Sequence, residues 1–400
     1  MFKILKKSKI SNARLGIIKT PHGELKTPIF MPDATRGVIK HLGAQDLNNL
    51  GLECLVANTL HLFLRPGTKL IKRAGGLHDF MDWQKPILTD SGGYQVFSLI
   101  HKNKNNGRII DLGAIFKSPL NGAEIKMTPE LSIKIQFALG ADIMVCFDDC
   151  PPNGYSDKML SASVERTIKW AKRCKREYDK QAKSLKNNKK PLLFAVIQGG
   201  DNLELRKRCS EELIKIGFDG FGFGARHVDE SGNFLAEALK YTADKIPENK
   251  LRFGLGIGLP EDIVKSIKLG YDMFDCVIPT REGRHGKLFL FNCHAGAKRS
   301  GAIASQDSIG RSDQSVGAPS GMTNNFYETI NITNAKFAKD FSPINRFSKL
   351  PEPRRYSKAY LNYLFKIKEP LALRLASLNN LEFYFNMISE IGELIKKDKF

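Results

Sequence analysis

Several stretches of this chain set a carboxylate or an amide directly after an apolar run, where an ionisable group is costly unless it is paired or used. Asp90 opens Asp90-Ser91-Gly92-Gly93 behind Ile87-Leu88-Thr89, and Asp148 and Asp149 close the run through Cys146-Phe147. Gln198 follows Val196-Ile197 and leads into Gly199-Gly200, while Asp275 stands in Phe274-Asp275-Cys276-Val277-Ile278. One such aspartate serves equally well as a helix N-cap or a rim ion pair. Several on one face admit more specific chemistry: two carboxyl groups about 5 Å apart displace a group at an anomeric carbon with retention, one attacking and the other moving protons. Gln198 would add an amide able to read the hydrogen-bonding edge of a base. Arg281, Arg284, His285 and Lys287, just beyond Asp275, put cations where phosphates flanking a target nucleotide would sit.

Such residues need a scaffold that gathers strand ends. Eight short apolar runs, at residues 29–31, 54–57, 86–89, 143–147, 193–197, 220–223, 253–257 and 273–278, alternate with helical patterns such as 129–139, 161–183, 203–216 and 260–268. The alternation predicts an α/β fold, a (β/α)8 barrel over residues 1–290. Asn58, Asp90, Asp148, Gln198, Arg226 and Thr280 then fall at the carboxyl ends of strands, the face on which barrels assemble active sites. From 291 to 329 the composition shifts to Gly, Ser and Ala, which reads as a flexible insertion. Residues 330–400, with helical patterns at 356–366 and 370–397, read as a mainly helical C-terminal subdomain packing on the barrel.

Composition narrows the function classes. An apolar fraction of 42% excludes a disordered or fibrous chain. Lys and Arg number 62 against 42 Asp and Glu, a net +20 that points to a polyanionic partner, with a lysine-rich solvated surface as the bland alternative. The seven cysteines are scattered without a C-x-x-C pair, which implies reduced thiols and a cytoplasmic home. Neither a signal peptide nor a membrane-spanning run is legible.

At these residues the chain resembles the bacterial type of tRNA-guanine transglycosylase, also called queuine tRNA-ribosyltransferase. The phrases that carry the likeness are NTLHLFLRPG at 58–67, LTDSGGYQVFSL at 88–99, FDDCPP at 147–152, IQGG at 197–200, FDCVIPTREGR at 274–284, INITNAKFAKDFSPI at 330–344 and YSKAYL at 356–361. The resemblance implies exchange of the wobble guanine of G-U-N anticodons for a 7-deazaguanine base. It also implies a tRNA anticodon stem-loop as partner, a homodimer and no cofactor. It implies roles as well. Asp275 would attack the ribose C1′, with Asp90 as general acid and base and Asn58 supporting Asp90. Asp148 and Gln198 would grip the base, with Tyr94 stacking over it and Gly224, Ala225 and Leu255 completing the pocket. Arg281, Arg284, His285 and Lys287 would hold the anticodon backbone.

The chain departs from that pattern in places. The family carries a Cys3His zinc site in its appendage, but the corresponding positions here hold Ser348, Leu350, Pro353 and Asn379, and Cys293 and His294 are too displaced to replace them. The expectation is therefore no structural zinc, with packing by Phe347, Leu350, Tyr356 and Tyr360 in its place. Where the family reads G-G-L-A-V-G-E, this chain has Gly224-Ala225-Arg226-His227-Val228-Asp229-Glu230, and Leu255 replaces a customary methionine. Arg226 and His227 disfavour the cationic arm of 7-aminomethyl-7-deazaguanine. A changed preference, for the neutral 7-cyano base or queuine, is expected. Two rivals stand beside the enzyme: a catalytically silent tRNA-binding paralogue and a generic retaining glycosidase.

Overall fold

The computed structural model describes residues 2–152, 154–292, 303 and 326–400. Most of the expected insertion lies outside the described residues, as do Cys293 and His294.

The chain opens with an antiparallel sheet of β1 (Phe2–Lys7), β2 (Arg14–Thr20) and β3 (Gly23–Thr27). Three barrel strands follow: β4 (Ile29–Pro32), β5 (Leu55–Ala57) and β6 (Ile87–Thr89). An antiparallel excursion of β7 (Gly107–Ile110), β8 (Gly113–Lys117) and β9 (Glu124–Met127) interrupts them. The barrel then resumes with β10 (Ile143–Val145), β11 (Leu192–Ile197), β12 (Gly220–Phe223), β13 (Leu251–Gly254) and β14 (Met273–Cys276). The eight parallel strands run in the order β4-β14-β13-β12-β11-β10-β6-β5, and a parallel bridge between Asp33 and Val56 brings the two ends together. All eight strands expected from the apolar runs are present. The barrel helices Pro129–Leu139, Leu203–Ile216 and Pro260–Lys268 coincide with the expected ones. The two antiparallel sheets were not foreseen, because alternation of burial on short strands is a weaker signal than a continuous apolar run.

Alternation within each barrel strand builds two cores from one sequence. Ile29 and Met31, Leu192, Phe194 and Val196, and Leu251 and Phe253 fill the interior, together with Ile18 and Leu25 from the first sheet, which therefore caps the amino-terminal mouth. Phe30, Leu193, Ala195, Ile197 and Phe274 face outward into the layer shared with the helices. At the amino-terminal end, aspartates that precede strands clip their neighbours: Asp142 accepts from Ile87 N–H, Asp219 from Leu193 N–H and Asp272 from Arg252 N–H. Asp272 also takes a bidentate pair from the buried Arg14 at 2.8 and 2.7 Å. These carboxylates are structural.

Beyond the barrel, β15 (Lys287–Phe291) pairs antiparallel with β16 (Tyr327–Asn331), so the two sides of the insertion are tied at its base. The closing helix, Pro370–Lys396, lies against Ile278–Arg284. Its Asn380 donates to Pro279 O and Lys287 O, both at 2.9 Å, and Tyr384 Oη donates to Gly258 O at 2.6 Å. The appendage thus braces the segment directly after Asp275.

The positions that correspond to the zinc ligands are already committed. Ser348 Oγ donates to Glu382 at 2.5 Å, Lys349 N–H donates to the other oxygen of Glu382 at 2.5 Å, and Asn379 Nδ2 donates to Phe289 O at 3.1 Å. Leu350 and Pro353 are buried and offer no donor atom. With neither thiolate nor imidazole among them, this set does not fit zinc. Of the side chains expected to compensate, only Leu350 is buried; Phe347, Tyr356 and Tyr360 are 52%, 36% and 38% exposed. Hydrogen bonds to a buried carboxylate do the tying instead, a solution that apolar patterning does not reveal.

Candidate active site

Every barrel strand delivers a residue to the carboxyl-terminal rim. In order around it stand Asp275 on β14, Asp33 after β4, Asn58 after β5, Asp90 after β6, Asp148 beyond β10, Gln198 after β11, Gly224 and Ala225 after β12, and Leu255 after β13. Side chains far apart in sequence become neighbours because parallel strands all point one way.

Asp90 is held rigidly. Asn58 Nδ2 donates to one carboxylate oxygen at 2.6 Å, and Thr59 N–H and Gly92 N–H donate to the other, each at 3.0 Å. Gly92 has a φ of 77°, and a Cβ there would meet Leu60 backbone nitrogen at 3.2 Å, so the turn that aims its N–H at Asp90 requires glycine. Despite these donors, burial pushes the Asp90 carboxyl up to about 7, with the charges of Asp33 and Asp275 adding to the shift. Asp275 accepts from Gly256 N–H at 2.9 Å and is likewise pushed up to about 7, first by burial and then by Asp33. Both carboxyls are thus poised near neutrality, with Asp33 raising each of them and Asp275 adding to the shift of Asp90.

On the far arc the groups differ in kind. Gln198 Nε2 donates to Asp148 at 2.7 Å, Ser91 Oγ lies 3.5 Å from the other Asp148 oxygen, and Gln198 Oε1 is buried without a partner. Burial raises Asp148 to about 6, against the hydrogen bond from Gln198. A Cβ on Gly224 would lie 2.6 Å from Gln198 Nε2, so only glycine lets that backbone close on the amide. Ala225 follows with φ at 68°, a left-handed conformation unusual for a residue with a side chain. Leu255 reaches over Gly222, where a Cβ would meet its Cδ1 at 2.2 Å. Tyr94 is 65% exposed in the first turn of the helix Gly93–Lys102, which starts three residues after Asp90.

The other expected residues separate. Asp149 turns away from the rim to pair with Arg166 on the helix Asp157–Ala182. Arg284 is half-buried and within electrostatic reach of Asp33, whereas Arg281 is exposed beside Glu282 and His285 is exposed at the end of the same helix. Lys287 places its ammonium over the Phe289 ring, 5.9 Å from the centroid. Arg226 is exposed, and His227 bonds the Asp262 carboxylate on the helix Pro260–Lys268 at 3.1 Å.

Sequence reading missed two residues. Asp33 follows an apolar strand in the same way as Asp90 and was findable by the same rule. Arg206 was not findable: it is fully buried on the helix Leu203–Ile216, donates to Gly200 O, Ile197 O and Gly224 O, and lies over Phe223 at 3.8 Å. It ties the Gln198 loop to the Gly224 loop.

A barrel whose rim pairs two near-neutral carboxyls with a carboxylate–amide clamp has the layout of a group-transfer enzyme. The comparisons with known proteins carry this further. The family model described as queuine tRNA-ribosyltransferase matches residues 9–400. The queuine tRNA-ribosyltransferase of Halothermothrix orenii is 39% identical over 397 residues, covering 99% of this chain and 94% of that protein. Those of Thermoanaerobacter pseudethanolicus and Lactococcus lactis subsp. cremoris are 38% and 37% identical, over 100% and 99% of this chain. The chain belongs to the queuine tRNA-ribosyltransferase family and is an enzyme of the pentosyltransferase class.

Proposed function

We propose that this protein is a tRNA-guanine transglycosylase that replaces the wobble guanine of G-U-N anticodons with a 7-deazaguanine base by double displacement. The observation that carries this is the division of the rim: Asp90 and Asp275 stand at the two borders between an arc of base-reading groups and an arc free for a sugar. In the first half-reaction the Asp275 carboxylate bonds to C1′ as the C1′–N9 bond breaks, and the electron pair leaving with guanine takes a proton from Asp90. In the second, Asp90 removes the N9 proton of the incoming base, N9 bonds to C1′ and Asp275 is released as carboxylate. Atoms and charge balance without a cofactor. Asp148 supplies two acceptors for the N1–H and exocyclic N–H of guanine, and Gln198 keeps one amide hydrogen for O6. A 7-deazaguanine presents that same edge, because its altered position lies on the other ring.

The net charge of +20 and the cations after Asp275 suit an anticodon stem-loop. Free cysteines, six among the described residues, suit a cytoplasmic site of action. No helix among the described residues is long and apolar enough to cross a membrane. Tyr356 and Tyr360 stack at 5.3 Å on an exposed face that Tyr363 extends, which supports a homodimer; sedimentation of the wild type against Tyr360→Glu tests it. The catalytic reading is tested by incubating the protein with an anticodon stem-loop and trapping a covalent adduct under denaturing conditions. The adduct forms with the wild type and is absent in Asp275→Ala. An adduct that persists in that variant, or guanine exchange by it at the wild-type rate, overturns the assignment of Asp275, whereas no adduct with the wild type favours the silent-paralogue or simple glycosidase alternatives.

A further inference from the structure

Around the rim, Asp275 and Asp90 are separated on one side by β10 to β13, which carry the base-reading groups, and on the other by β4 and β5 alone. A nucleoside with its C1′ between the two carboxyls and its base over the longer arc lays its sugar over the shorter one. The polar side chains there are Asn58 and Asp33. Asn58 is committed, with Nδ2 donating to Asp90 and Oδ1 accepting from His61 N–H at 2.9 Å. Asp33 is not. Its two oxygens take the Thr35 hydroxyl at 2.8 Å each, and the Thr35 backbone adds a further hydrogen bond, which still leaves acceptor capacity for a ligand. The backbone register fixes its place: Pro32 pairs with Cys276, Met31 with Asp275, and Asp33 bridges to Val56, two residues before Asn58. Within an RNA chain the 3′ and 5′ oxygens are esterified, so the hydroxyl at C2′, adjacent to the reacting carbon, is the one ribose donor left to read.

We propose, resting on the transglycosylase reading above, that Asp33 recognises the 2′-hydroxyl of the target nucleotide and makes the site selective for ribose over deoxyribose at that position. Burial holds the Asp33 carboxyl above the ordinary carboxylate range, and Thr35, His61 and Arg284 draw it back toward the charged form, while Asp90 and Asp275 are the acids it influences in turn. As C1′ gains positive character the neighbouring hydroxyl becomes a stronger donor, so the contact tightens in the transition state and its loss falls on kcat more than on KM.

The experiment compares guanine exchange into two anticodon stem-loops that differ only by a 2′-deoxy sugar at the target nucleotide, using the full chain as wild type, Asp33→Ala and Asp33→Asn. Taking the ratio of the two substrates within each protein cancels the intrinsic lability of a deoxy glycosidic bond. Asp33→Ala lowers the ribo-to-deoxy ratio of kcat/KM by about tenfold or more, the rate equivalent of one charge-assisted hydrogen bond, by slowing the ribo substrate. Asp33→Asn, which keeps an acceptor, falls between. Because both reacting acids lose a neighbouring charge, either variant also moves the pH–rate profile to lower pH, a change that a purely structural residue would not cause. If Asp33→Ala slows both substrates equally, or neither, the assignment is wrong while the transglycosylase stands. If the wild type forms no adduct through Asp275, the underlying reading has failed instead.

Discussion

Replacing Asp148 with Asn should strengthen the fold while destroying base binding, and the size of the effect follows from the pocket. Burial lifts Asp148 from an ordinary 3.8 to about 6. At about 1.4 kcal/mol per pKa unit, holding the ionised carboxylate in place costs the folded chain about 3 kcal/mol, an upper figure for this nearly buried group. Below about pH 4 the group is protonated in both folded and unfolded chains and costs nothing. Between about 4 and 6 the folded chain keeps a proton that the unfolded chain has released, so stability declines with rising pH. Above about 6 the full cost is present. Asn is neutral throughout, and its Oδ1 still accepts from Gln198 Nε2. Urea unfolding at pH 8 should therefore favour Asp148→Asn by up to about 3 kcal/mol, with the gain vanishing near pH 4. Guanine binding should fail at both, because Asn sets an N–H₂ against the base's own donors. An Asp148→Asn protein equally destabilised at both pH values would refute the desolvation argument.

Three further outcomes follow from the same geometry. Asp275 must be ionised and Asp90 protonated for the first displacement, and both sit near 7, so kcat/KM for guanine exchange should trace a narrow bell centred close to neutrality; a rate flat over about two units either side would contradict it. Glu382→Ala removes the carboxylate that binds Ser348 Oγ and Lys349 N–H, which should cost about 3 kcal/mol in urea melts, while prolonged chelation leaves the wild-type melting temperature unchanged. Arg206→Leu leaves the carbonyls of Gly200, Ile197 and Gly224 without their donor, so KM for the free base should rise and stability drop by about 3 kcal/mol, with Arg206→Lys recovering part of both.

Much was written in the residues themselves. Runs such as Leu192–Ile197 are apolar on both faces, and a strand buried on both faces belongs to a parallel sheet covered by helices, which made the barrel legible. Carboxylates after or near the end of such runs marked Asp90, Asp148 and Asp275, since the rim is where a barrel can hold an unpaired charge. The tertiary structure decided matters of direction and adjacency. Asp148 and Asp149 are consecutive and chemically identical, yet one faces Gln198 and the other Arg166, because neighbouring residues beyond a strand point to opposite sides. Closure of the ring places β14 beside β4, which puts Asp33 between Asp275 and Asn58. Arg206 takes its role from carbonyls contributed by two separate strand ends, and a contact of that kind leaves no period in a sequence, since backbone acceptors are the same whatever residue carries them.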